Sequence, residues 1–289
     1  MKIDLLKTYD NMINNAKTTQ RELDNYYNAI YMDYFVRPDL RVNQRAGHKS
    51  NGDFVEGLHI YPDKKCICEI LTQIQDRLNS DTNVMDKLLK NKLGAVLFIS
   101  ELVNYYITDY FGGTENIHEV DNVFYDNFSE RMANLSDFKN KSCAVCIERG
   151  LAAYVVLSVI ANNEDLKKSF PFKPYLSIIN FSSDIYQKGP IEEHALCGLI
   201  SRDDYNEMYL LDPSNYGLVE DKNGNKKYVY GLYELSEDEI QSMFNKECIV
   251  PTLFRCKHLD NLTQLSHRAL SKNPRYFEKY LSECNGMHK

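Results

Sequence analysis

Apolar and polar positions recur along this chain with two different periods, and the change falls near Asn140. Upstream of it the spacing is helical. Leu5, Leu6, Tyr9, Met12 and Ile13 form one stripe, which predicts a first helix in a pattern that can be followed to Tyr34. Arg37-Pro38 ends it, and Gly47, Gly52 and Gly57 read as a loop. Ile67, Ile70, Leu71, Ile74 and Leu78 make a second amphipathic stripe. Residues 81–111 predict one long helix or two short ones, closed by Gly112-Gly113.

Downstream the pattern is mixed. From Cys146 to Asn162 the chain is apolar on nearly every side, as a buried helix is, and Gly150, Ala152 and Ala153 permit close packing. Strand-like runs follow at 175–181, 194–201, 207–212 and 227–235, the last introduced by an Asn223-Gly224 hairpin signal. Ser236 to Glu239 reads as a capping box opening a short helix to Phe244. A further strand is expected at 249–254 and a closing helix or two at 262–281. Helices first, then a helix followed by successive strands, argue for an α+β fold rather than a doubly wound parallel sheet.

Composition narrows the classes. Hydrophobic content of 43% and charged content of 26% suit a globular protein. A net charge of −7 argues against a nucleic-acid surface, which needs a cationic face. The N-terminal Met-Lys-Ile-Asp-Leu-Leu-Lys lacks a signal-peptide core, and the most apolar stretch, 151–161, is too short to span a bilayer. No membrane insertion is expected, and the expected location is cytoplasmic. The eight cysteines are scattered without a disulfide framework, so reduced thiols are expected.

Chemistry is suggested by three short segments in order. Ala144-Val145-Cys146 opens the apolar helix, Glu193-His194-Ala195 begins an alternating strand, and Leu211-Asp212-Pro213-Ser214 ends the next strand. A cysteine nucleophile acts as thiolate, and a helix N-terminus supplies partial positive charge and free N–H groups. An imidazole, His194, would pair with the thiolate and later protonate the leaving group. A carboxylate, Asp212, would fix its tautomer and orientation. Each segment alone fits a core cysteine, a surface histidine or an ordinary turn; the three in this order favour catalysis.

Other assignments are weaker. Cys143 and Cys146 have redox or zinc spacing, but the polar stretch before them is not the strand a thioredoxin-like motif needs, and two more ligands are missing. Cys66 and Cys68 would point apart on a helix. Neither metal nor cofactor is expected. Cys143 precedes the small-residue helix and is a poorer nucleophile than Cys146. Cys197 falls on the strand face opposite His194 and reads as core. His118, His258, His267 and His288 have no carboxylate at meaningful spacing. The tyrosine-rich stretches at 26–34 and 105–110 read as packed helix faces.

The three segments resemble the transglutaminase-like branch of the papain-like cysteine enzymes. Ala144-Val145-Cys146 with Glu148 and Gly150 is similar to the family's Gly-Val-Cys block. His194-Ala195-Leu196 is similar to its His-Ala-Trp, and Tyr209-Leu210-Leu211-Asp212-Pro213-Ser214 to its Leu-Asp-Pro-Thr block. The likeness covers about residues 140–215. It implies a papain-like/transglutaminase-like core, with the nucleophile on a helix N-terminus packed on an antiparallel sheet. It also implies a Cys146-His194-Asp212 triad acting on a carboxamide or peptide bond of a protein substrate through a thioester. The chain then divides into a helical N-terminal region, 1–135, a catalytic core, 136–260, and a C-terminal helical segment packing on the core, 261–289. Leu196 stands where the family has Trp, and the chain has no Trp at all, which favours hydrolysis over protein crosslinking. A glutamine deamidase or cysteine protease is therefore expected, with protein crosslinking or a non-catalytic binding scaffold as alternatives. Asn140 stands where papain-like enzymes place an oxyanion-hole Gln. By analogy, such small cores with helical additions occur in bacterial effectors acting in a target cytosol.

Overall fold

The computed structural model describes residues 2–18, 42–50, 53–80, 91–113, 116, 123, 132–182 and 191–269. The architecture is α+β. Before the strand-rich half come α1 (Leu5–Thr18), β1 (Val42–Ser50), β2 (Asp53–Tyr61), α2 (Lys64–Ser80), α3 (Lys92–Phe111) and β3 (Met132–Asn134). After them come α4 (Cys146–Asn162), β4 (Phe172–Ser182), β5 (Ile191–Ser201), β6 (Met208–Asp221) and β7 (Lys226–Glu234). The order closes with α5 (Glu237–Phe244), β8 (Thr252–Leu253), α6 (Phe254–His258) and β9 (Leu262–Ala269).

The stripes of the N-terminal half fold as helices, with one exception. Residues expected to form a glycine-marked loop instead form the antiparallel β1–β2 hairpin, with β3 joining β2 in parallel. Ser50 pairs with Asp53, and residues 51–52, Gly52 among them, lie outside the described residues. Gly47 and Gly57 therefore lie inside strands. The continuation of the first helix to Tyr34, and the part of the third at 81–90, lie outside the described residues.

Six strands form the main sheet, in the order β4-β5-β6-β7-β8, with β9 added on β6. Strand β6 has three partners. Its first residues, Met208 to Leu211, pair with β5; Tyr216 to Asp221 pair with β9; β7 runs along its other side. The stretch beginning at Leu262, expected to be helical, is the strand β9. Its apolar residues Leu262, Leu265 and Ala269 keep a helical spacing, but the edge of β6 left free by β5 supplies a ladder that overrides it. Residues 270–289 lie outside the described set. The hairpin at Asn223-Gly224 forms as the sequence suggests, with Gly224 at φ 79° and its N–H donating to the Asp221 carbonyl.

Helix α4 lies at the centre. It packs on β4, β5 and β6 on one side and meets α1, α2 and α3 on the other. One apolar core runs from Ile3, Leu5 and Tyr9 of the N-terminal segment, through Ile70 and Leu102, to Leu151 and Val155 of α4 and Cys197 of β5. The N-terminal helices thus bury the same core as the strands. A buried ion pair adds to this: Arg255 Nε and a terminal nitrogen donate to Glu101 Oε1 at 2.9 and 2.5 Å, joining α6 to α3. Gly150 lets α4 come close to the sheet, since a Cβ there would lie 3.3 Å from Leu176 and 3.5 Å from the Ala195 carbonyl. Among the described residues, no helix is long and apolar enough to cross a membrane.

Candidate active site

Ladder register explains why His194 and Asp212 meet. Cys197 on β5 pairs with Leu211 on β6, and paired residues of an antiparallel ladder share a face. Both belong to the core under α4. His194 and Asp212 each lie an odd number of residues away, so both turn to the other face. The β5–β6 backbone ladder stops at the Cys197–Leu211 pair. Beyond it a side-chain bond takes over: His194 Nε2 lies 2.7 Å from Asp212 Oδ2. His194 is 7% exposed and Asp212 fully buried.

A bulge in β6 completes the surroundings of the carboxylate. Asp212 pairs with Gly231 of β7 and the next pair is Tyr216 with Tyr230, so Pro213, Ser214 and Asn215 have no opposite residue. Asp212, expected to end its strand, sits within one, at this bulge. Ser214 donates its N–H and hydroxyl to Oδ1 at 3.0 and 2.6 Å. Asn215 Nδ2 donates to Oδ2 at 3.1 Å and lies 3.4 Å from His194 Nε2. With His194, four donors occupy the carboxylate's acceptor sites. Gly231 leaves the room this requires, because a Cβ there would lie 2.9 Å from the Asn215 carbonyl and 3.0 Å from Asp212 Cβ.

Charge follows from these partners. Burial disfavours the charged form of His194, but the charge and hydrogen bond of Asp212, joined by a hydrogen bond and charge interaction with Cys146, push its pKa up to about 10. Burial acts to raise the Asp212 pKa, and the His194 charge with the Ser214 and Asn215 hydrogen bonds outweighs it, holding Asp212 below the ordinary carboxylate range. The pair at neutral pH is imidazolium and carboxylate. With Nε2 turned to Asp212, Nδ1 is left for the thiol side.

Cys146 is the first residue of α4, half-buried, with Val145 extended before it. Its interaction with the His194 side chain brings the three expected residues into one chain of contacts. No cysteine among the described residues is disulfide-bonded, and Cys143 and Cys197 are buried. Burial pushes the Cys197 thiol up, as befits a core thiol. Leu196, where the resemblance expects Trp, is fully buried in the apolar cluster of Tyr175, Met208 and Tyr233. Asn140 stands in an exposed loop at φ 58°, its N–H donating to the Tyr110 carbonyl at 3.0 Å, and among the described residues no hydrogen bond ties its amide to Cys146.

Sequence spacing did not reveal the partner of His258, which lies 2.7 Å from Glu234 on β7. This is a surface pair that fastens α6. It also did not single out Ser214, Asn215 or Gly231. The signal for them was the proline placed directly after Asp212, which cannot donate to a ladder and so marks a bulge. His118 and His288 lie outside the described residues. No group of three or more His, Cys, Asp or Glu is placed to hold a metal ion among the described residues. No family model, curated protein or solved structure matches this chain.

Proposed function

We propose that this protein is a cysteine hydrolase or acyltransferase of the transglutaminase-like, papain-like type, acting on carboxamide or peptide bonds of a protein substrate. The observation that carries the reading is the 2.7 Å His194–Asp212 bond, with the same imidazole in contact with Cys146 at a helix N-terminus. The Cys146 thiolate attacks the carbonyl carbon, and the oxyanion is held by N–H groups at the start of α4. His194 delivers its proton to the departing nitrogen, releasing ammonia or an amine and leaving a thioester. Water, deprotonated by His194, then cleaves the thioester and frees Cys146. Asp212 keeps the imidazole oriented throughout. The absence of Trp favours water over an amine as acceptor, hence glutamine deamidation or proteolysis.

The test is mass spectrometry of candidate protein substrates incubated with the wild type and with Cys146→Ala. Deamidation, cleavage and amine incorporation leave distinct mass changes, and each should vanish in the variant. Limiting iodoacetamide near pH 6 should also label Cys146 ahead of the other cysteines. Uniform labelling, unchanged in His194→Ala, would overturn the assignment.

A further inference from the structure

The residues directly after the nucleophile reach back to the peptide unit before it. Glu148 Oε2 accepts the Val145 N–H at 2.8 Å, and Arg149 Nε donates to the Ala144 carbonyl at 2.8 Å. These N–H and C=O groups belong to one peptide plane, Ala144–Val145, and neighbouring side chains hold both ends of it. Arg149 also donates to the Gly112 and Gly113 carbonyls at 2.7 and 2.6 Å, tying this plane to the end of α3. Glu148 is fully buried and Arg149 is 1% exposed. Burying both groups is costly, so the contacts they make at this turn must offset it.

We propose, resting on the reading of Cys146 as nucleophile, that Glu148 and Arg149 are positioning residues that clamp the Ala144–Val145 peptide and so aim Cys146. The clamp has a second consequence. The N–H of Val145, at the cap just before α4, is taken by Glu148. The Arg149 N–H continues the helix to the Val145 carbonyl. Among the described residues no backbone or side-chain acceptor takes the N–H groups of Cys146 and Ile147, which suits them to a ligand oxyanion. Among the described residues Glu148 Oε1 has no hydrogen-bond partner, so a proton can rest there without displacing a bond. Burial, only partly opposed by the backbone N–H groups and Arg149, pushes this carboxyl up to about 7. An amide is therefore a fair mimic of it near neutrality.

The experiment follows alkylation of Cys146 by iodoacetamide, resolved peptide by peptide, against pH in the full chain. Glu148→Gln keeps the acceptor for Val145 and should leave the Cys146 rate within about twofold of wild type. Glu148→Met removes the acceptor, and Arg149→Lys cannot reach all three carbonyls. Each should slow Cys146 by roughly tenfold and shift its rate–pH midpoint upward, as a misplaced reacting group does. Cys197 and Cys143 should stay as protected as in the wild type. If Cys146 keeps its wild-type rate and midpoint in both folded variants, the clamp is overturned and the nucleophile stands. A general rise at every thiol would show loosening alone and also overturns it. A wild-type Cys146 no faster than the other thiols overturns both. Should Glu148→Met not fold, Arg149→Lys decides by the same criterion.

Discussion

Two buried carboxyl groups flank the candidate nucleophile, one on the strand side and one on the helix side, and burial leads them in opposite directions. Asp212 lies at the β6 bulge, fully buried, with four donors, one of them the His194 imidazolium, and stays ionised. Glu148 lies in the first turn of α4, equally buried, with backbone N–H donors, an Arg149 turned to carbonyls, and one oxygen without a hydrogen bond among the described residues. Its carboxyl is pushed up to about 7. Burial alone drives a carboxyl towards neutrality; only charge and a full set of donors keep it charged. The strand side therefore supplies charge, and the helix side supplies placement.

The same chemical change at both sites separates them most widely. Asp212→Asn puts an amide nitrogen among donors and removes the charge that holds His194 protonated. Turnover on any substrate identified should fall by a factor on the order of 10³, with a stability loss of about 1–3 kcal/mol. Kinetics and denaturant unfolding check this; full activity in Asp212→Asn would leave a Cys-His dyad at most.

A smaller effect is expected from pH. The folded His194 pKa is raised to about 10 from its ordinary value of 6.5. Its stabilising contribution is fully present below about pH 6.5, falls as pH rises, and is gone past about pH 10. The unfolding free energy of wild type minus that of His194→Gln should thus shrink by up to a few kcal/mol across that window. A flat difference would show that Asp212 does not hold a protonated His194.

Gly231→Ala attacks the bulge without touching either carboxyl. The added methyl meets the Asn215 carbonyl and Asp212 Cβ, so about 1–3 kcal/mol of stability should be lost, and Cys146 alkylation should slow as Asp212 shifts. Unchanged melting and alkylation would mean that β7 yields there freely. The smallest effect belongs to Glu148→Gln, nearly silent in both measurements; a loss as large as that of Asp212→Asn would show Glu148 to be ionised and the contrast to be wrong.

Several elements are legible in the local pattern alone. The apolar run beginning at Cys146 could only be a buried helix, and Ser236 with Glu239 marks the start of α5, where the Ser236 hydroxyl accepts the Glu239 N–H and the carboxylate returns to Ser236. Alternation placed Cys197 in the core and His194 on the reverse face. The β1–β2 hairpin was hidden because its glycines imitate a loop. Strand β9 was hidden because Leu262, Leu265 and Ala269 keep the three- and four-residue spacing of a helix, and its partner lies far away in the chain.

The order of the chemistry-bearing residues, and the placing of His194 on the strand face opposite Cys197, follow from the chain alone, because period and parity are local properties of the backbone. The tertiary structure alone decided that β5 leaves β6 at Leu211, that Gly231 makes room for the bulge, and that Ser214 and Asn215 fill the Asp212 acceptor sites. It also decided that Glu148 and Arg149 close on a single peptide plane. Those outcomes depend on contacts between distant segments and on exclusion of water from the groups they surround, which no local pattern encodes.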